Sequence, residues 1–114
     1  MSSRPLVVLS TFGNVDAAAA AAHNLVKNGL AACVNLLPEV RSFYAWHGRI
    51  SDAGESLLII KTTEERFEAL REALVQGHEY DVPEVIALPV TAGHAPYLDW
   101  ITANSTGVRV PDED

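Results

Sequence analysis

The sequence predicts an α+β fold of the split βαβ, ferredoxin-like kind. Short apolar runs with β-branched residues alternate with two longer stretches of helical spacing, and the order is β-α-β-β-α-β. A short further helix follows. The chain of 114 residues is expected to be one domain, 1–114, with an ordered core over about 6–105 and an acidic tail at 111–114.

Leu6 to Leu9 reads as a buried first strand, broken by Gly13 and Asn14. Asn14 or Asp16 can cap the next helix, whose Ala18, Ala21, Ala22, Leu25 and Val26 form one apolar face to about Asn28. Gly29 stands where a left-handed residue ends a helix. Residues 30–62 read as one long bent hairpin. Pro38 marks an edge or a bulge, His47-Gly48 a turn, Gly54 a second irregularity, and Leu57 to Ile60 a buried central strand. Thr62 and Glu65 have capping-box spacing before a second helix. That helix carries Phe67, Leu70 and Leu74 on one face and ends at Gly77. Val85 to Val90 is the last strand. Pro96 suits the first turn of a closing helix with Tyr97, Leu98, Trp100 and Ile101 as its apolar face, and His94 is placed to cap it.

Both helices fall on one sheet face, because βαβ crossovers are right-handed. The other face is left bare and the long hairpin projects beyond the core. A second copy of the chain is the natural cover for both, so a homo-oligomer is expected.

Composition narrows the function classes. Hydrophobic residues make up 48 % of the chain and charged residues 20 %, which is enough apolar material for a core. One cysteine, Cys33, rules out an intramolecular disulfide and suits the reducing cytoplasm. A net charge of -7 without basic clusters disfavours nucleic acid. No run reaches the length of a membrane span, and no signal-peptide pattern follows Arg4, so a cytoplasmic protein with no membrane association is expected. The sequence holds no G-x-S-x-G elbow, P-loop or G-x-G-x-x-G, and no enzymatic activity is expected.

The candidate site residues each have two readings. His78, Glu79, Tyr80 and Glu84 lie within seven residues after a helix, and imidazole with carboxylate suits Cu(II) or Zn(II). The same segment also reads as a helix end followed by a polar loop. Cys33 is either an inert core thiol or, facing a subunit cleft, a soft ligand. Lys61 meets an anion at a helix N-terminus, or snorkels to solvent, or pairs with Glu84. Lys61, Tyr80 and Glu84 would then form a polar cluster at a cleft. Tyr44, Trp46 and Trp100 are expected to pack against a partner subunit. His23 and His47 are read as solvated.

Five segments carry a resemblance. They are Leu30-Ala31-Ala32-Cys33-Val34-Asn35; Ser42-Phe43-Tyr44-Ala45-Trp46-His47-Gly48; Lys61-Thr62-Thr63; His78-Glu79-Tyr80-Asp81-Val82-Pro83-Glu84; and Pro89-Val90-Thr91 followed by Tyr97-Leu98 and Trp100. In this order they resemble the CutA family of divalent-cation tolerance proteins, over roughly residues 6–103. The resemblance implies a ferredoxin-like subunit in a compact homotrimer similar to the PII signalling proteins, and association with copper and other divalent metals. It implies no enzymatic reaction. Two positions depart from the family pattern. Ser10-Thr11-Phe12 replaces a cysteine-containing stretch, and Glu79 replaces the proline of H-P-Y. The first weakens soft-metal binding and the second adds a carboxylate. The leading expectation is therefore a trimeric cytoplasmic protein that binds divalent cations, copper among them, through His78 with Glu84 or Glu79 and with Cys33. The alternatives are a PII-like sensor of a small anionic or nucleotide ligand in intersubunit clefts, and a structural trimer that anchors a partner protein.

Overall fold

The computed structural model describes residues 3–113. Its elements are β1 (Pro5–Phe12), α1 (Val15–Lys27), β2 (Cys33–Trp46), β3 (Arg49–Thr63), a 3₁₀ turn (Glu64–Arg66), α2 (Phe67–Gln76), β4 (Ile86–Pro89) and α3 (Ala95–Ala103). The four strands form one antiparallel sheet in the order β2-β3-β1-β4. Among the described residues no helix is long and apolar enough to cross a membrane.

The period of two along the strands sorts the sheet's faces. Leu6, Val8 and Ser10 of β1 lie opposite Thr62, Ile60 and Leu58 of β3, and all are buried. Ala18 and Leu25 of α1 and Leu70 and Leu74 of α2 complete that core. The alternate positions (Val7, Leu9, Leu57, Ile59, with Leu37 of β2 and Ile86 and Leu88 of β4) share the other face. Leu37, Ile86 and Leu88 are exposed there. α3 covers the end of that face where Tyr97 meets Cys33, and the part around Leu37, Ile86 and Leu88 is bare, as expected from the sequence.

The Asn14 side chain accepts from the Ala17 N–H at 2.8 Å and caps α1. At its other end the Leu30 N–H donates to Leu25 O and the Gly29 N–H to Val26 O, the paired bonds of a Schellman motif. Gly29 supplies the positive φ, +67°, that the motif requires. Beyond α3 the chain returns to this corner as a strap. The Gly107 N–H donates to Gly29 O, the Val110 N–H to Lys27 O, and Asp112 pairs with His23 at 2.7 Å. His23 is therefore partnered rather than merely solvated, and the tail is tied down at Asp112. Asp114 lies outside the described residues.

Beyond Phe12↔Ser56, β1 ends and the β2–β3 hairpin continues alone as an arm. Pro38 produces both expected features, since β2 is an edge strand and an extra residue bulges between Leu37 and Val40. The Ser56 hydroxyl donates to the Pro38 carbonyl there. Gly54 introduces no irregularity. It pairs in register with Arg41, and the single bulge absorbs the bend. His47 and Gly48 have φ of 50° and 74°, so both central residues of the two-residue turn are left-handed, as a type I′ hairpin needs. The Arg41 guanidinium clamps the Asp52 carboxylate through two bonds, 3.0 and 2.8 Å, and lies over the Phe43 ring.

The capping box at Thr62 and Glu65 does not form. Thr62 is still in β3 and faces the core, where its hydroxyl donates to Leu30 O at 2.6 Å. Thr63 takes the cap position without a side-chain bond, and the 3₁₀ turn precedes α2. His94 likewise occupies the N-cap of α3 without a side-chain bond.

Candidate functional site

Three consecutive residues button the loop between α2 and β4 onto the sheet, two at the end of β1 and the third on β3. His78 Nδ1 accepts from the Tyr80 N–H at 3.0 Å, so the proton of the neutral ring sits on Nε2, which donates to Thr11 O at 2.8 Å. The ring stacks on Phe12 with centroids 4.3 Å apart. The Glu79 carboxylate accepts from the Gly13 N–H at 2.7 Å. A Cβ on Gly13 would stand 2.8 Å from that carboxylate oxygen, so the missing side chain is what lets Glu79 approach. The Tyr80 hydroxyl donates to Glu55 Oε2 on the arm at 2.8 Å. Burial, then the Glu55 hydrogen bond and charge, then Glu79 and Tyr44, push the Tyr80 pKa well above its usual value, so the phenol remains a donor.

These contacts leave a cleft of about 520 Å³ between arm and loop. Thr11 lies near the end of β1, Ser42, Phe43, Tyr44 and Trp46 come from the arm, and Glu55 and Tyr80 form the hydrogen-bonded join. Asp81, Val82 and Glu84 close it from the loop. Lysine and arginine are absent from the lining, and three carboxylates are present.

The structure divides the expected site residues. His78, Glu79, Tyr80 and Glu84 belong to the loop end, and Glu84 lines the cleft while Glu79 is turned to Gly13. Cys33 and Lys61 are elsewhere. They pair across β2 and β3 and share a row with Val7 of β1, four residues, or about 13 Å, from Thr11. Lys61 bonds Asn35 and stands 4.0 Å from the Cys33 thiol, so it does not pair with Glu84 and does not join Tyr80 in one cluster. Tyr97 of α3 flanks that thiol. Burial and Cys33 push its hydroxyl pKa up. Tyr44 and Trp46 stand exposed on the arm, and Trp100 stacks on Tyr97. Among the described residues no three His, Cys, Asp or Glu side chains converge to hold one metal ion, and both His78 nitrogens already have partners. One chain therefore does not present a ready metal centre. Glu55 was not singled out from the sequence. Its partner Tyr80 lies 25 residues away, and no local pattern announces the pair.

The family model for the CutA1 divalent ion tolerance protein matches residues 6–104. The chain belongs to this family. CutA1 chains are described by ion tolerance rather than by a reaction. Protein CutA, chloroplastic, of Arabidopsis thaliana is 48 % identical over 101 residues, which is 89 % of this chain and 55 % of that protein. The chain thus spans about half the length of this plant relative. The divalent-cation tolerance protein CutA of Thermus thermophilus is 42 % identical over 87 % of this chain and 96 % of its own. The solved structure of the periplasmic divalent cation tolerance protein CutA from Archaeoglobus fulgidus superposes with a TM-score of 0.85 at 33 % identity, covering 89 % of this chain and 98 % of that one. The four-stranded antiparallel sheet with three helices is the CutA1 fold, ferredoxin-like and PII-like, as the sequence predicted.

Proposed function

We propose that this chain is a cytoplasmic homotrimer that binds divalent cations, copper among them, as cargo in metal tolerance. The observation that carries the reading is the loop 78–84, an imidazole and three exposed carboxylates (Glu79, Asp81 and Glu84) within seven residues of a CutA1 chain. Among the described residues one chain does not present a closed ligand set, so His78 pairs with either Glu84 or Glu79 and the remaining ligands come from outside this loop. His78 joins by exchanging its Tyr80 N–H for the metal at Nδ1. Cys33 is too far along the sheet to join them within one chain and would act only from a neighbouring subunit. Ser10 and Phe12 stand where the family pattern has cysteine, so the affinity is modest, on the order of micromolar. Copper titration should show His78→Ala weakened about tenfold or more, while a chain ending at Val110 binds within twofold of the full chain. Binding that survives His78→Ala and disappears with the tail would overturn the assignment.

The trimer reading is supported by the exposed apolar groups on the bare face and by Phe43, Tyr44, Trp46 and Ile50 on the arm. Light scattering should return about three times the 12.3 kDa subunit mass. Trp46→Ala should cost about 2 kcal/mol or more per interface. A mutant whose mass does not fall on dilution would count against Trp46 as an anchor. The single cysteine, Cys33, supports the cytoplasmic reading; the relatives named above include a chloroplastic and a periplasmic protein.

A further inference from the structure

Asn28 and Gly29 make the one Asn-Gly step in the sequence. Such a step carries its own reaction. Glycine has no Cβ to hold its backbone nitrogen away from the preceding side chain, so that nitrogen can attack the asparagine amide carbon. The new C–N bond closes a five-membered succinimide, and the Cγ–Nδ2 bond breaks to release ammonia. Water then opens the ring to aspartate or isoaspartate, and no oxidant or cofactor is consumed. Asn28 is exposed at the end of α1, where water reaches it. The structure restrains the first step. With ψ of 8° at Asn28, the Gly29 nitrogen nearly eclipses the Asn28 nitrogen instead of Cβ, where ring closure needs it. The Gly29 N–H donates to Val26 O at 3.0 Å, and the Asn28 side-chain amide to Asn24 O at 2.9 Å. The strap adds a further restraint, because the Gly107 N–H donates to Gly29 O at 2.9 Å and Val108 lies directly over Gly29. Turning the 28–29 peptide therefore requires the strap to lift. Val108 and Val110 are exposed and the His23–Asp112 pair is in water, so the strap buries little apolar surface and opens as a local event. The proposed assembly uses the opposite sheet face and the arm, which leaves this corner of α1 in water.

We propose that Asn28 is a self-modifying position: when the strap lifts, the Gly29 nitrogen attacks Asn28 Cγ, and the isoaspartate that results keeps the strap from returning. The extra backbone carbon of isoaspartate shifts the register of the Schellman bonds, and its carboxylate sits at the negative end of α1. Incubation of the full chain in its native assembly at mildly alkaline pH, followed by peptide mapping with isoaspartate detection, tests this. Isoaspartate should accumulate at residue 28 ahead of Asn14, Asn24, Asn35 and Asn104. Its rate should be at least about a hundredfold below that of the same chain in urea. Val110→Pro removes the N–H that donates to Lys27 O and should speed the reaction about tenfold. Leu58→Ala loosens the central cluster without touching the strap and should leave the rate within about twofold. In the isoaspartate form, isolated by ion exchange, the Gly107 amide should exchange its hydrogen about tenfold faster than in the unmodified protein. The proposal is overturned if residue 28 keeps its amide throughout or converts as fast as in urea. It is also overturned if Leu58→Ala speeds the reaction as much as Val110→Pro, since global unfolding would then be the route, or if Gly107 exchange is the same in both forms. No metal enters the experiment, so its outcome is independent of the copper titration.

Discussion

Leu58→Ala should lower the free energy of unfolding by about 3–4 kcal/mol. Leu58 is fully buried on the helix-side face, flanked in the sheet by Ser10 of β1 and Leu36 of β2, and belongs to the central cluster. Truncation removes three carbons, worth about 0.8 kcal/mol each in transfer. The surrounding strands are locked in register and cannot close over the space, so a cavity term adds to the loss. Leu58→Met, which nearly conserves volume, should cost less than about 1.5 kcal/mol. Chemical denaturation at one fixed protein concentration measures both, since assembly would otherwise contribute. A methionine variant as unstable as the alanine variant would show that shape, not the cavity, governs this position.

Gly29→Ala should be nearly as damaging, at about 3 kcal/mol. The left-handed φ alone costs an L-residue roughly 1–2 kcal/mol. The added Cβ would then meet backbone atoms of the strap, Val108 O at 2.5 Å and Val108 N at 2.7 Å. Neither is the end of a flexible side chain, so the strap itself must lift from α1. Hydrogen exchange should report this directly, with protection lost at the Gly107 and Val110 amides that bond Gly29 O and Lys27 O. In a chain ending at Ser105 the same substitution should cost only the φ contribution, roughly 1–2 kcal/mol. Equal costs in the two chains would remove the strap from the explanation.

Gly29 also marks how far the sequence could be read. Its role at the end of α1 follows from its place after an alanine-rich helix, because a Schellman motif is a local structure. Its contact with Val108 is not local and left no trace in the pattern. The same division runs through the chain. The Pro38 bulge, the Asn14 cap and the His47-Gly48 turn arise from neighbours in sequence and were legible. The capping box at Thr62 was legible too and did not form, because a tertiary acceptor, Leu30 O, takes the hydroxyl. At the candidate site, proximity in sequence correctly put His78, Glu79 and Tyr80 on one loop. It could not show that each reaches a different partner, Thr11 O, Gly13 N and Glu55. Glu55, between the small residues Gly54 and Ser56, became visible only when β3 was placed beside the loop.

The position of β1 at the centre of the sheet has a consequence for synthesis. Synthesis runs from the N-terminus, so β1 leaves the ribosome before the other three strands, and both its neighbours come later. β3 is complete only at Thr63, and β4 begins at Ile86. At roughly 5–20 residues per second the nascent strand waits several seconds or more with Leu6 and Val8 unshielded. The hairpin of β2 and β3 can form meanwhile, because its two-residue turn brings adjacent segments together at little loop-closure cost. It then offers β1 one ready edge. The other edge of β1 stays open until β4 emerges, so the first of these four strands to be made is the last to gain both its neighbours.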